Sequence, residues 1–227
     1  MSPILRNIPN LLTVSRMLIA PVFFILFINN YNYLALICFF FASITDFLDG
    51  FLARKFNIVS KFGKLYDPLA DKILVFLGWL CIVIKPPFNL EYDSTLSSSI
   101  SLKLSNLIKI DPNYLIFGIL AILLLRDLIA TTLREEKFTK HKVILNTNYM
   151  AKVKTTMLII SIHLYLIYQL VVQNSTNQSD AFFNIFQIFY FYQNHILCLF
   201  DFCLYLTLIF SLASLVDYIH QFRNKDS

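Results

Sequence analysis

A chain of 227 residues that is 57% hydrophobic and 15% charged, with a mean hydropathy of +0.64, is not an ordinary soluble domain. Its net charge of +5 borders apolar runs rather than gathering on one folded basic face, which argues against nucleic acid and for anionic lipid as the charged partner. The expected fold is all-α: a polytopic integral membrane protein whose residues 1–227 form a single membrane-embedded domain.

Apolar runs of spanning length predict six transmembrane helices, at 11–29, 31–53, 63–84, 113–133, 151–173 and 195–221. Arg6 precedes the first run, but no small-residue cleavage site follows it, so it reads as an uncleaved anchor. The entry to that helix is NIPNLLTVSR, in which Pro9 suits a first turn and Asn10 and Thr13 offer polar side chains near a helix start. Arg16 lies within the apolar run, where a cation must meet a charge or snorkel to the interface.

The second and third spans carry DFLDGFLARKFNIVSKFGKLYDPLADK, with four aspartates, two of the chain's four glycines and Arg54. An aspartate at the centre of a bilayer-length helix costs about 2.5–3.5 kcal/mol, so four need compensation, and bound divalent metal is the expected one. If 46–53 is helical, Asp46, Asp49, Gly50 and Ala53 share an arc of about 100°. Along the next helix Gly63, Asp67 and Asp71 step round by only about 40° each, so both aspartates face one cleft.

Four hard carboxylates, with no Cys or His in the segment, suit Mg²⁺ or Mn²⁺ in a two-metal phosphate site. The glycines let a bulky group approach the backbone and Arg54 can pair bidentately with phosphate oxygens, so the expected ligand is a diphosphate. The competing structural reading has these aspartates as helix-end charges paired with Arg54, Lys55, Lys61, Lys64 and Lys72.

Between the third and fourth spans, Lys85 to Asn113 is a long Ser-rich excursion that reads as a solvent-facing connector. The fourth span carries LLLRDLIATTLREE, with Arg126 and Arg134 two turns apart on nearly one face and Asp127 beside Arg126 as a simple helix pair or more. The fifth opens MAKVKTTM, setting Lys152, Lys154, Thr155 and Thr156 at one membrane border. Aromatic residues between Ala181 and Tyr192 suggest a short interfacial or re-entrant piece before the last span. Cys38, Cys81, Cys198 and Cys203 lie in apolar spans without metal spacing and read as packing residues; His141 reads as solvated.

Six spans put both termini on one side, and sixteen of the nineteen Lys and Arg residues fall on or toward it, leaving Lys85, Lys103 and Lys109 opposite. By the positive-inside rule the termini, the loops at 54–62 and 134–150 and the aspartate cage face the cytosol of a cell whose inner membrane the chain crosses.

The pattern DxxDGxxARx8GxxxDxxxD, matched at Asp46, Asp49, Gly50, Ala53, Arg54, Gly63, Asp67 and Asp71, resembles the signature of the CDP-alcohol phosphatidyltransferase family. Within it, NIPNLLTVSR, the Arg126–Asp127 and Leu133–Arg134–Glu135 segments and the KVKT of the fifth span are similar to the phosphatidylglycerophosphate synthase branch. Asp127 stands where that branch usually carries Glu, Ala151 replaces a usual Gly, and Met157 and Leu158 occupy positions near which a Gln is common.

The resemblance implies a six-helix transferase that moves the phosphatidyl group of CDP-diacylglycerol to glycerol 3-phosphate, in a homodimer. Asp46, Asp49, Asp67 and Asp71 would hold two divalent ions, with Asp71 also the candidate general base. Asn10, Thr13, Arg16, Gly50, Ala53, Arg54 and Gly63 would seat CDP-diacylglycerol. Arg126, Arg134, Lys152, Lys154 and Thr155 would hold the acceptor phosphate, since converging cations favour an anionic acceptor over choline or ethanolamine.

A sister transferase such as a cardiolipin synthase, with phosphatidylglycerol as acceptor, shares the cage, although Lys154 fits it less well. Membrane prenyltransferases also use aspartates on magnesium diphosphates, but with motifs far apart in sequence. A membrane cation carrier would explain intramembrane aspartates and leave Gly50, Ala53 and Arg54 without a role.

Overall fold

The computed structural model describes residues 3–56, 61–88, 99–141, 149–176 and 192–224. At 3–10, 46–56, 61–65, 67, 68, 134–141, 151, 174–176 and 221–224 the description is of helical backbone alone. The described residues form helices and no strand: α1 (Pro3–Ile28), α2 (Asn32–Phe56), α3 (Lys61–Ile84), α4 (Ile100–Ile108), α5 (Pro112–His141), α6 (Tyr149–Thr176) and α7 (Gln193–Asn224).

Each predicted span lies within one of these helices to within a residue, and the all-α expectation holds. Among the described residues four stretches are long and apolar enough to cross a membrane: Leu11–Ile28, Pro112–Leu133, Lys152–Gln173 and Gln193–His220. The described part of α2 adds a shorter apolar stretch, Asn32–Thr45. The aromatic segment at 181–191 lies outside the described residues.

The chain divides into two compact units: Met1–Pro86 with Ile162–Gln193, and Pro87–Ser161 with Asn194–Ser227. Helix α6 contributes its N-terminal part to the second and its C-terminal part to the first.

In the first unit, α1 buries Thr13, Arg16, Ala20, Phe23 and Phe27, and α2 buries Asn32, Ala35, Phe39 and Ala42, at alternating spacings of three and four. Alanines on these stripes allow close helix approach, and the Phe23 and Phe39 rings meet at 5.1 Å. Leu11, Leu18, Val22 and Ile25 point outward on α1, as expected of a helix that shows hydrocarbon to lipid and small or polar groups to its neighbours.

The α1–α2 turn is closed by Asn30, at φ 64°: its N–H reaches the Phe27 carbonyl at 3.1 Å and that of Tyr31 reaches Leu26 at 2.9 Å. Asparagine tolerates the left-handed conformation, and this pair of bonds satisfies carbonyls that a helix end leaves open. Lys85, just past α3, adds its ammonium to the Phe27 carbonyl at 2.9 Å and to Asn30 Oδ1 at 2.7 Å. The backbone carbonyl of Lys85 in turn accepts the Tyr165 hydroxyl of α6 at 2.6 Å. Polar groups therefore tie α1, α3 and the middle of α6 together where the helical bonds of α1 and α3 run out.

At Gly78 of α3, α6 packs tightly against the backbone: a Cβ there would sit 2.9 Å from Ile162 Cδ1 and 3.0 Å from Ile162 Cγ2.

In the second unit, α5 buries Ile116, Ile119, Leu120, Leu123, Arg126 and Ala130, and α7 buries Leu197, Phe200, Asp201, Leu204, Thr207, Ser211, Ser214 and Tyr218. The hydroxyl residues on α7 serve both as small contact points and as hydrogen-bonding groups.

The Lys85–Asn113 stretch, read from sequence as a connector, contains the helix α4. Two of its serines are structural: Ser99 caps the helix, accepting from the Leu102 N–H at 3.2 Å, and Ser101 is fully buried. A Ser-rich segment reads as loop because serine competes with helical bonding, yet the same competition makes it a good cap.

Candidate active site

Helix α2 runs unbroken through Asp46–Phe56 and α3 begins at Lys61, so the condition placed on the register of the motif is met. Asp46, Asp49, Gly50 and Ala53 share one face of α2, and Gly63, Asp67 and Asp71 follow one slowly turning line on α3. The side chains at Asp46, Asp49, Ala53, Arg54 and Asp67, and that of Asn10 on α1, lie outside the described residues.

Asp71 is described, and it is half-buried. Its Oδ1 accepts from the Arg16 guanidinium of α1, whose side chain is fully buried, while 45% of the Asp71 side chain remains accessible. Of the two fates open to Arg16 in the sequence, meeting a charge or snorkelling to the interface, the structure shows the first, with this motif carboxylate as a partner. A guanidinium without a partner in an apolar bundle is costly; pairing offsets that cost and holds the carboxylate in place. Thr13, nearly one turn earlier on α1, is buried on the same stripe.

Among the described residues no cluster of three or more His, Cys, Asp or Glu side chains stands together, and Asp71 is the one motif aspartate whose side chain is described. The donor set nonetheless fits a divalent ion: four carboxylates on the end of one helix and the start of the next, in register on each, with no softer ligand between them.

The second unit holds another charged group. Arg126 of α5 is buried and uses each guanidinium nitrogen: Nε donates to the Ser211 carbonyl at 2.9 Å, one terminal nitrogen to Asp127 Oδ1 at 2.9 Å and the other to the Ser214 hydroxyl. The guanidinium lies over the Tyr218 ring, 5.8 Å from its centroid. Lys154 of α6, also buried, reaches the same Asp127 Oδ1. Two cations expected to read the acceptor thus converge on one carboxylate oxygen, and the local Arg126–Asp127 pair weighed from sequence is present as well. Lys152 and Thr155 are exposed on the first turns of α6, and the side chain of Arg134 lies outside the described residues.

Sequence reasoning missed Ser211, Ser214 and Tyr218 as the supports of Arg126. The available signal was their spacing of three and four along an apolar run, a polar stripe that a membrane helix has no reason to turn toward lipid.

The family profile described as CDP-alcohol phosphatidyltransferase matches residues 6–200. The CDP-diacylglycerol--glycerol-3-phosphate 3-phosphatidyltransferase of Rickettsia typhi is 46% identical over 90 residues, covering 38% of this chain and 49% of that protein. The protein of the same name from Aquifex aeolicus is 45% identical over 75 residues, covering 33% of this chain and 42% of its own. A cardiolipin synthase (CMP-forming) / mitochondrial hydrolase fusion protein of Schizosaccharomyces pombe is 43% identical over 86 residues, covering 37% of this chain and 14% of the fusion. The matched stretch spans half or less of the length of each of these relatives. No solved structure matches the chain. With 195 of its 227 residues inside the family profile and the full aspartate signature on α2 and α3, the chain belongs to the CDP-alcohol phosphatidyltransferase family.

Proposed function

We propose that the protein transfers the phosphatidyl group of CDP-diacylglycerol to glycerol 3-phosphate, giving phosphatidylglycerophosphate and CMP. The observation that carries this reading is the complete eight-position signature on two consecutive helices in a member of the family. Relatives named for this reaction, about 45% identical over their matched parts, support the acceptor. Family membership sets aside the cation carrier.

In this reading Asp46, Asp49, Asp67 and Asp71 hold two divalent ions, Mg²⁺ or Mn²⁺. When bound, the ions neutralise charge on the diphosphate. Gly50, Ala53 and Gly63 leave room for the nucleotide and phosphates, Arg54 pairs with phosphate oxygens, and Asn10, Thr13 and Arg16 complete that wall from α1. Arg16 keeps Asp71 in position through the pair between them.

Asp71 takes the proton of the glycerol hydroxyl as its oxygen attacks the phosphorus bearing the diacylglycerol. The bond from that phosphorus to the bridging oxygen breaks, and CMP leaves with the electron pair. Such chemistry rests on orientation and charge stabilisation more than on covalent participation by the protein.

Arg126, Arg134, Lys152, Lys154 and Thr155 form the acceptor-phosphate side. The Asp127 oxygen shared by Arg126 and Lys154 supports this, because it marks a point where two cations favour an anionic oxygen. We read the chain as one six-span domain of an inner membrane, with both termini and the aspartates cytoplasmic and a homodimer as the working state. The Lys and Arg bias supports that orientation.

The test is CMP release by protein purified in detergent with CDP-diacylglycerol and Mg²⁺ or Mn²⁺, comparing glycerol 3-phosphate with phosphatidylglycerol, serine and inositol. Selective turnover with glycerol 3-phosphate is expected, and chelation should abolish it. Turnover with phosphatidylglycerol alone would make the protein a cardiolipin synthase. Asp71→Asn is expected to keep CDP-diacylglycerol binding better than turnover; equal loss of both would make Asp71 chiefly a metal ligand.

A further inference from the structure

We infer that α4 is an in-plane membrane helix that lays an apolar face against a leaflet carrying anionic headgroups, pinned there by a buried latch to α7. The inference concerns the second unit alone and is independent of the acceptor.

The latch is Asp201. Its carboxylate is fully buried and lies eight residues, about 12 Å of helix, beyond the start of the apolar run Gln193–His220. It accepts the Ser101 N–H at 2.8 Å on one oxygen and the Ser101 hydroxyl at 2.5 Å on the other. With the Ser99 cap on Leu102, and Lys103 N–H reaching the Ser99 carbonyl at 3.2 Å, the open donors at the start of α4 are satisfied. The positive end of a helix is a favourable place for a carboxylate that would otherwise stand alone in an apolar span.

The other end of α4 is held as closely. Lys109, at φ 59°, stops the helix, and its N–H bonds to the Ser105 carbonyl at 2.7 Å. Asp111 then starts α5, accepting from the Asn113 N–H at 2.7 Å, and Pro112 takes the first helical position. Only three residues separate α4 from α5, so the C-terminal end of α4 is tied to the beginning of one membrane span, while the Asp201 latch ties its N-terminal end to a point about 12 Å along another. That holds α4 in the border region of the bilayer rather than in bulk water.

What α4 shows at that level is apolar and basic. Ile100, Leu104, Leu107 and Ile108 share an arc of about 100°. Leu107 is 79% and Ile108 51% accessible, followed by Ile110 at 42% and Tyr114 at 67%. Lys103 and Lys109 are exposed beside this face, while the nearby Asp111 is committed to its cap. Apolar side chains flanked by lysines, with an aromatic at the span border, complement acyl chains below phosphate headgroups.

The chain's one tryptophan, Trp79, is buried, which leaves room for a reporter. Full-length protein carrying Leu107→Trp or Asn106→Trp is reconstituted in phosphatidylcholine vesicles with and without phosphatidylglycerol. Emission above the Trp79 background is then quenched by bromine-labelled lipid or by aqueous iodide. Leu107→Trp should lose most of its emission to brominated lipid and little to iodide, and Asn106→Trp the reverse. Quenching by lipid should deepen with phosphatidylglycerol, and Lys103→Gln with Lys109→Gln should remove that increment. Leu107→Trp quenched by iodide like Asn106→Trp would overturn the inference in favour of an aqueous connector. Shielding of Leu107→Trp from both quenchers would overturn it in favour of protein cover, such as a second copy. An unchanged response to phosphatidylglycerol would remove the anionic part of the assignment.

Discussion

Arg16 and Arg126 are both buried in apolar helices and both pair with an aspartate, but their environments are opposites. Arg16 reaches across 55 residues of sequence to Asp71, a half-accessible carboxylate of the catalytic signature. Arg126 takes its next neighbour, Asp127, and spends its remaining nitrogens on the Ser211 carbonyl and the Ser214 hydroxyl of α7. Arg126 is over-determined: it joins α5 to α7 and shares Asp127 with Lys154 of α6. Arg16 pairs instead with a carboxylate of the family signature on another helix, one that stays partly accessible. A buried cation can therefore be held by groups from several helices, as Arg126 is, or pair with a carboxylate of the family signature, as Arg16 does.

This contrast predicts an order of stability losses, measured by SDS titration in mixed micelles. Arg126→Met strands the Ser211 carbonyl, the Ser214 hydroxyl and one partner of Asp127, and should cost the most, about 3–5 kcal/mol. A loss below about 1 kcal/mol, the scale of an exposed ion pair, would break the scaffold reading. Asp71→Ala leaves Arg16 buried without its motif partner; solvent at Asp71 moderates the loss to about 2 kcal/mol, below the full cost for a fully buried pair. Combining it with Arg16→Met sharpens the point, because the double variant should be more stable than the sum of the single losses. Additive losses would show that the two side chains are not coupled.

Smaller effects are expected away from the arginines. Gly78→Val places methyl groups where Ile162 already sits and should cost about 1–3 kcal/mol, partly relieved by Ile162→Ala. An unaffected Gly78→Val variant would mean that α3 and α6 can separate freely at this point. Lys85→Met removes the ammonium from the Phe27 carbonyl and Asn30, and should cost about 1 kcal/mol without changing CMP release.

The helices were legible because lipid imposes a simple rule: backbone groups must bond internally, so long apolar runs become helices. The signature was legible because aspartates are rare and costly in such runs and their register on a helix is arithmetic. Helix α4 was not legible, since a nine-residue helix with serines at its start has no spanning length to announce it. The Asp201–Ser101 latch joins residues 100 apart, and nothing local in either segment marks the other. The same holds for Ser211, Ser214 and Tyr218 around Arg126: spacing on α7 gives a polar stripe but not the residue it faces.

Sequence by itself determined the all-α membrane architecture, the position of the long helices and the carboxylate set, because hydrophobic length, helical register and the cost of buried charge are local properties. Tertiary structure decided which anion each buried cation meets: Asp71 for Arg16, Asp127 with two α7 groups for Arg126, and the start of α4 for the buried Asp201 carboxylate. Those choices depend on which helices come within hydrogen-bonding distance, and in an apolar medium that short reach separates a satisfied charge from one too costly to bury.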